Sequence, residues 1–241
     1  MQSPNEDFEV AVERAKLDAV KELAYGASHE INNPLANIVA RTQTLLRDEA
    51  DPERRRALAA IHDQAMRAHE MISDLMLFAR PPRMETATLD IVALVDRSVR
   101  ESAEEASERR IQVDARLPNE PIPCDGDATQ LAVAIRALLQ NALEAVGCDG
   151  LIRVTCQNGR GEARDRIEIE VADDGPGISP EIGRHIFDPF FSGREAGRGL
   201  GFGLSKCWRI VTEHGGDVIV GNQPGQGACM TIRLPSQRPA P

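Results

Sequence analysis

The chain has 241 residues, room for one large domain or two modest ones, and a net charge of −10 that repels phosphate backbones and argues against non-specific nucleic-acid binding. The five cysteines, at 124, 148, 156, 207 and 229, are odd in number and form no CxxC pair, which argues against a disulfide framework or a zinc site and for a reducing compartment, the cytoplasm. The N-terminal MQSPNEDFEV is too polar for a signal peptide, and no apolar run approaches the roughly 20 residues of a membrane span, so any membrane segment is left to a longer parent.

Two regions differ in periodicity. In the first, to about residue 83, apolar residues recur at Leu17, Val20, Ala24, Ala27, Ile31, Pro34, Ile38 and Leu45, with Arg41 interrupting. Steps of three and four predict a helix with a heptad seam. A polar break, RDEADPERR, places Pro52 to start a second helix, which carries Leu58, Ile61, Ala65, Ala68, Ile72, Leu75 and Ala79 in the same rhythm and stops at RPPR. His62 and His69 fall off that seam and read as solvated. A lone helical hairpin leaves apolar stripes uncovered, so the expectation is a homodimer whose two hairpins form a four-helix bundle.

The second region, about 84–236, mixes periods. LDIVALVDRSVRESAEEAS reads as a helix and RIQVDARL as a strand. Asp127 is placed as an N-cap, with Gln130 at the third position of a helix running through Val146. LIRVTCQ and RIEIEVAD alternate as strands, FGLSKCWRIVTEHGG reads as a glycine-terminated helix, and DVIVGN and ACMTIRL close the series. Trp208 and Cys207 read as packing residues, and His185 and His214 carry no assigned role. Interleaved strands and helices predict an α/β sandwich, giving an α plus α/β chain overall with a loose tail at 237–241.

The stretch SHEINNPLANI, residues 28–38, is the first that asks for chemistry. Pro34 costs a helix interior about 3 kcal/mol or more. With Ala24 and Ile31 as a positions, His29 falls at f, facing away from the seam. A single exposed histidine is most often only a surface residue. Here Glu30 adjoins it and Asn33 lies one turn on. A neutral imidazole is a competent nucleophile toward phosphorus when a carboxylate orients the ring and takes the proton. Adjacent helical residues point about 100° apart, so Glu30 must lean sideways to serve His29.

HEINNPL resembles the phospho-acceptor box H-E-x-x-N-P-L of dimeric sensor histidine kinases, matching it at His29, Glu30, Asn33, Pro34 and Leu35. The resemblance implies that residues 1–83 form the dimerisation and histidine phosphotransfer hairpin. It further implies His29 as phospho-acceptor, Glu30 as general base and Asn33 as positioning water in a phosphatase reaction.

No GxxxxGK[ST] loop and no HRD or DFG set is present to supply the phosphoryl donor. Instead LLQNALEAV, VADDGPGI, IFDPFFSG, GRGLGFGLS and GQGACMTIRL follow in order across residues 84–236, which resembles the ATP-binding fold shared by histidine kinases, gyrases, mismatch-repair ATPases and the large heat-shock chaperone. Taken singly, Asn141 is an ordinary polar helix residue, DDGPG a good turn, and the Phe187, Phe190, Phe191 cluster a local core plug. The resemblance implies that Asn141 ligates Mg2+ and that Asp173 accepts the adenine amino group. Gly175 and Gly177 then let the chain pass close to the base, and the phenylalanines hinge a lid. That lid, SGREAGRGLGFG, has five glycines, among them Gly199, Gly201 and Gly203, ahead of a helix whose N-terminus favours phosphate. Arg194 stands where many relatives carry Lys and is a γ-phosphate candidate; Arg198 is a weaker one.

Three departures are visible. Ala137 stands where relatives have a second Asn, or in gyrase-like members a water-activating Glu, and Ala228 and Met230 stand where the last box usually has Thr and Phe. The implied function is ATP-dependent autophosphorylation of His29 and phosphoryl transfer to an aspartate on a separate response-regulator receiver domain. An ATPase-driven dimer clamp and a non-catalytic dimerisation scaffold are the alternatives; Ala137 counts against the first and, with Ala228, lends some support to the second.

Overall fold

The computed structural model describes residues 30–79, 83–159, 166–188, 191, 201–223 and 227–236. They fall into two compact units, with the division along the chain between Pro82 and Arg83. Leu17, Val20, Ala24 and Ala27 of the expected seam lie outside the described residues. No helix among the described residues is long and apolar enough to cross a membrane.

The first unit is a helical hairpin of α1, described over 30–48, and α2, Pro52–Ala79. Asp51 caps α2, its Oδ1 accepting the N–H groups of Glu53 and Arg54 at 2.9 Å, with Pro52 opening the helix as expected. The row of α1 shielded within the hairpin lies beside the apolar seam rather than on it. Asn32, Leu35, Val39, Thr42 and Leu46 are the shielded residues, whereas Ile31, Ile38 and Leu45 are 40%, 41% and 57% exposed. Residues 32, 39 and 46 sit about 100° round the helix from 31, 38 and 45, so α1 carries two adjacent stripes and the hairpin uses the more polar one.

His62 and His69 are not solvated as expected. The Thr42 hydroxyl gives its proton to the Ile38 carbonyl at 2.8 Å and accepts from His62 Nδ1 at 3.1 Å. His69 Nδ1 donates to Asn32 Oδ1 at 3.1 Å. Both rings are turned toward α1 by these bonds, which a pattern of apolar residues cannot show.

The second unit opens with β1 (Ala87–Asp90), α3 (Ile91–Glu101), α4 (Ala103–Glu108), β2 (Gln112–Arg116), β3 (Pro123–Gly126) and α5 (Ala128–Val146). It continues through β4 (Leu151–Asn158), β5 (Arg166–Asp173), α6 (Pro180–Gly183), α7 (Gly203–Glu213), β6 (Asp217–Gln223) and β7 (Gly227–Pro235). Five strands form a mixed sheet in the order β2-β4-β5-β7-β6, parallel only between β2 and β4. Helices α3, α5 and α7 pack on it, giving the expected α/β sandwich. The alternation predicted for the strands is the pleat itself: Ile152, Val154, Cys156, Ile167, Ile169, Val171, Met230, Ile232 and Leu234 are buried. Register matches them across strands, Val154 with Val171, Ile169 with Ile232 and Val171 with Met230.

The expected long helix at 89–107 is divided. Leu89 and Asp90 end β1, which pairs antiparallel with β3, and α3 begins after them. Asp90 Oδ1 accepts both Val92 N–H at 3.0 Å and Ile122 N–H at 3.1 Å, so one carboxylate caps α3 and ties down the chain leading to β3. Neither β1 nor β3 is visible in the sequence pattern, because four-residue strands are too short for a period.

Asp127 caps α5 as predicted, its Oδ1 accepting from Thr129 and Gln130. Burial would raise its carboxyl, but the N–H groups of Glu85, Gln130 and Thr129 outweigh burial and hold it below the ordinary carboxylate value. His214, given no role by the sequence, is 4% exposed and locks this corner: Nε2 accepts the Asp127 N–H at 3.0 Å and Nδ1 donates to the Ile210 carbonyl at 2.8 Å. His214→Leu leaves the Asp127 N–H buried and unpaired, whereas the Ile210 carbonyl keeps the backbone N–H of residue 214 at 3.1 Å. A loss of about 1–3 kcal/mol is expected, read as a lowered unfolding midpoint by circular dichroism.

Candidate active site

In the second unit the candidate nucleotide site gathers at the end of the sheet where β5 finishes. Asp173 is the last residue of β5 and is half-buried. Its Oδ1 accepts the N–H of Gly175 at 3.0 Å and of Ala228 at 3.3 Å, which leaves Oδ2 for a ligand. Burial, first, and the adjacent Asp174 charge raise this carboxyl above its ordinary value, against the pull of the two N–H donors. The neighbouring acid does different work. Asp174 Oδ1 accepts the Leu151 N–H at 2.9 Å and so fastens the start of β4.

Two glycines are closely enclosed here. A Cβ on Gly175 would lie 2.9 Å from Asp173 Oδ1 and 3.1 Å from the Ala145 carbonyl of α5. A Cβ on Gly227, whose φ is +102°, would lie 1.8 Å from the Asp173 carbonyl oxygen. Gly177 has φ +74° and Gly201 φ +71°. Gly203 opens α7 in open space, where a Cβ would meet nothing within 4 Å, so sterics do not call for glycine there.

Asn141 lies in α5, half-buried, its Nδ2 3.9 Å from the Met230 sulfur. Met230 pairs with Val171, two residues before Asp173, so Asn141 stands over the same end of the β5–β7 pair. With Nδ2 turned to sulfur, Oδ1 is the free donor atom. Ala137 is one turn earlier on α5 and packs against the core. Phe187 packs partly buried against the core beside Ile186. Next to it His185 Nδ1 and Asp188 Oδ2 are 2.6 Å apart, and the His185 ring lies 5.6 Å from that of Phe191. Phe202, which stands inside the glycine run of the sequence, is 2% exposed and is among the largest buried side chains.

In the first unit Glu30 and Asn33 are both exposed and about 60° apart around α1, a shared outward face. His29, Arg194 and Gly199 lie outside the described residues. Sequence reasoning missed the Ala228 N–H as a support of Asp173. A backbone donor leaves no side-chain signature, although Gly227 ahead of it was in view.

Residues 19–83 match the family model of the His Kinase A (phospho-acceptor) domain, and residues 126–238 match that of the Histidine kinase-, DNA gyrase B-, and HSP90-like ATPase. The chain belongs to the sensor histidine kinases of two-component systems. It is 31% identical over 220 residues to the signal transduction histidine-protein kinase AtoS of Escherichia coli K12, covering 91% of this chain and 35% of that protein. It is 31% identical over 233 residues to the sensor histidine kinase ZraS of Klebsiella oxytoca, covering 94% of this chain and 48% of that one. The chain thus spans about half the length, or less, of these relatives. Full-length ShkA in complex with AMPPNP superposes at a TM-score of 0.75 with 25% identity over 89% of this chain and 45% of that chain. The nucleotide-free catalytic domain of the histidine kinase ThkA superposes at 0.57 with 28% identity over 64% of this chain and 99% of that chain.

Proposed function

We propose that this histidine kinase chain binds ATP in its second unit, transfers the γ-phosphoryl group to His29, and passes it to an aspartate on a response-regulator receiver domain. The observation that carries this reading is Asp173, a carboxylate preset by two backbone N–H groups at the end of a sheet in an ATPase-family domain, in one chain with a matched phospho-acceptor hairpin. Residues 1–83 act as the acceptor and dimerisation domain and 84–236 as the ATP-binding domain. Asp173 Oδ2 accepts the adenine amino group, and Gly175 and Gly177 give the base room. Phe187 anchors a lid that includes Arg194, Gly199, Gly201 and Gly203 and closes over the phosphates. Magnesium would rest on Asn141 Oδ1, a hard oxygen donor, and neutralise phosphate charge. One His29 ring nitrogen attacks the γ-phosphorus as the bond to the ADP oxygen breaks, and Glu30 takes the proton from the other nitrogen. Asn33, on the Glu30 face, positions water when the phosphorylated receiver is hydrolysed.

The exposed row of Ile31, Ile38 and Leu45, with Ile61 at 51% exposure on α2, supports a homodimeric four-helix bundle. Ile38→Glu places a charge in that seam and is expected to yield a monomer by light scattering. A cytoplasmic site of action fits the thiols: burial pushes Cys124 up to about 11 and Cys156 and Cys207 up to about 12, keeping them protonated and inert.

Stoichiometry tests the reading against an ATPase clamp. With ATP–Mg2+, protein-bound phosphate is expected to rise to a plateau of about one per protomer or below and to discharge when a cognate receiver is added. Steady phosphate release with no phosphoprotein would favour the clamp.

A further inference from the structure

Within the acceptor box, Asn32 and Leu35 are turned inward, and Asn32 meets one polar group of α2. His69 Nδ1 donates to its Oδ1 at 3.1 Å, and both residues are half-buried. The bond falls where α1 is weakest. Pro34 has no N–H, so the Glu30 carbonyl loses the donor that a helix supplies four residues on. The helix is nevertheless continuous from 30 to 48. A second side-chain bond, Asn37 Nδ2 to the Asn33 carbonyl at 3.2 Å, lies within α1 and therefore cannot set how α1 sits on α2. The cross-helix bond to Asn32 can. Asn32 lies about 100° from Asn33 and about 160° from Glu30 around the axis, so holding it inward turns those two outward.

We infer that His69 is a positioning residue for phosphoryl transfer: through Asn32 it fixes the rotation of the acceptor turn on α2. The inference rests on His29 being the acceptor. It concerns how His29 and Glu30 are presented, not any contact of His69 with the nucleotide. The same hairpin contains its own control. His62, seven residues earlier on α2, makes a bond of the same kind to Thr42, which is ten residues from Asn32 and outside the box. Both bonds stabilise the hairpin. Only the one at Asn32 sits in the turn whose orientation matters to the reaction, and a misplacement of about 1 Å there is enough to slow the chemistry by a large factor.

The test uses the full chain and the initial rate of acid-labile label from γ-labelled ATP, with circular dichroism for folding. His69→Leu is expected to slow labelling about tenfold at saturating ATP with the ATP KM unchanged. His69→Asn places an N–H donor the same number of bonds from Cβ as Nδ1 and is expected to stay within about threefold of the parent. His62→Leu is expected to lower the unfolding midpoint by a similar amount yet label within about twofold of the parent. Equal slowing by His62→Leu and His69→Leu, or a folded His69→Asn no faster than His69→Leu, would overturn the positioning role. Should His69→Leu fail to fold, Asn32→Ala decides, since alanine favours helix and removes the amide that accepts from His69: a tenfold slowing supports the role and an unchanged rate refutes it. A parent chain that takes no label at all defeats the acceptor reading and this role with it. A parent that labels normally while His69→Leu keeps pace defeats this role alone.

Discussion

His29→Gln is expected to abolish phosphoryl incorporation, by at least about a thousandfold, while ATP affinity stays within about twofold. Glutamine keeps a polar side chain of similar reach but has no nucleophilic nitrogen, because its amide lone pair is delocalised. The proposed nucleotide site draws on β5, β7 and α5 of the other unit, none of which contains residue 29. Calorimetry with a non-hydrolysable ATP analogue checks the affinity and acid-lability of the label checks the chemistry. Glu30→Gln tests the base separately. It leaves the nucleophile in place, so a loss of about a hundredfold in rate with retained ATP affinity is expected. If Glu30→Gln labels as fast as the parent, Glu30 is not the base.

Asp173→Asn is expected to weaken ATP binding by about 10- to 100-fold with the fold retained. The amide oxygen takes over the N–H groups of Gly175 and Ala228 now held by Oδ1. The amide nitrogen then occupies the place of Oδ2 and points a donor at the adenine amino donor. An unmade hydrogen bond in such a place costs about 1–3 kcal/mol, which is that range of affinity. Acidification should mimic the change. Burial and Asp174 raise the Asp173 carboxyl above 3.8, so its proton returns, and affinity falls, at a higher pH than for an ordinary aspartate. Stability runs the other way: with the folded value raised, the contribution of this group is full below 3.8 and is lost as pH rises through the folded value. In Asp173→Asn this part of the pH dependence of affinity should be flat.

Much of this was legible in the residues. The strands β4, β5 and β7 show in their alternation, and Pro52 and Asp127 mark helix starts that form as read. HEINNPL and the glycine boxes point to the family before any coordinates do. What escaped was polar and non-local. His62, His69 and His214 owe their roles to partners 20, 37 and 87 residues away, and no helical or strand period encodes such pairings. The two stripes of α1 are adjacent heptad rows, so the apolar count favoured the exposed one over the row that carries Asn32 and Thr42. The Ala228 departure takes a side-chain hydroxyl from the site but leaves the N–H that holds Asp173, which any residue but proline supplies at that position.

The most direct test is to locate the phosphoryl group. The full chain is incubated with ATP–Mg2+, digested at alkaline pH, where phosphohistidine survives, and analysed by mass spectrometry. A phosphoryl group on the imidazole of His29 is the predicted result. Phosphate on serine, threonine or another histidine, or none alongside sustained ATP turnover, would contradict it.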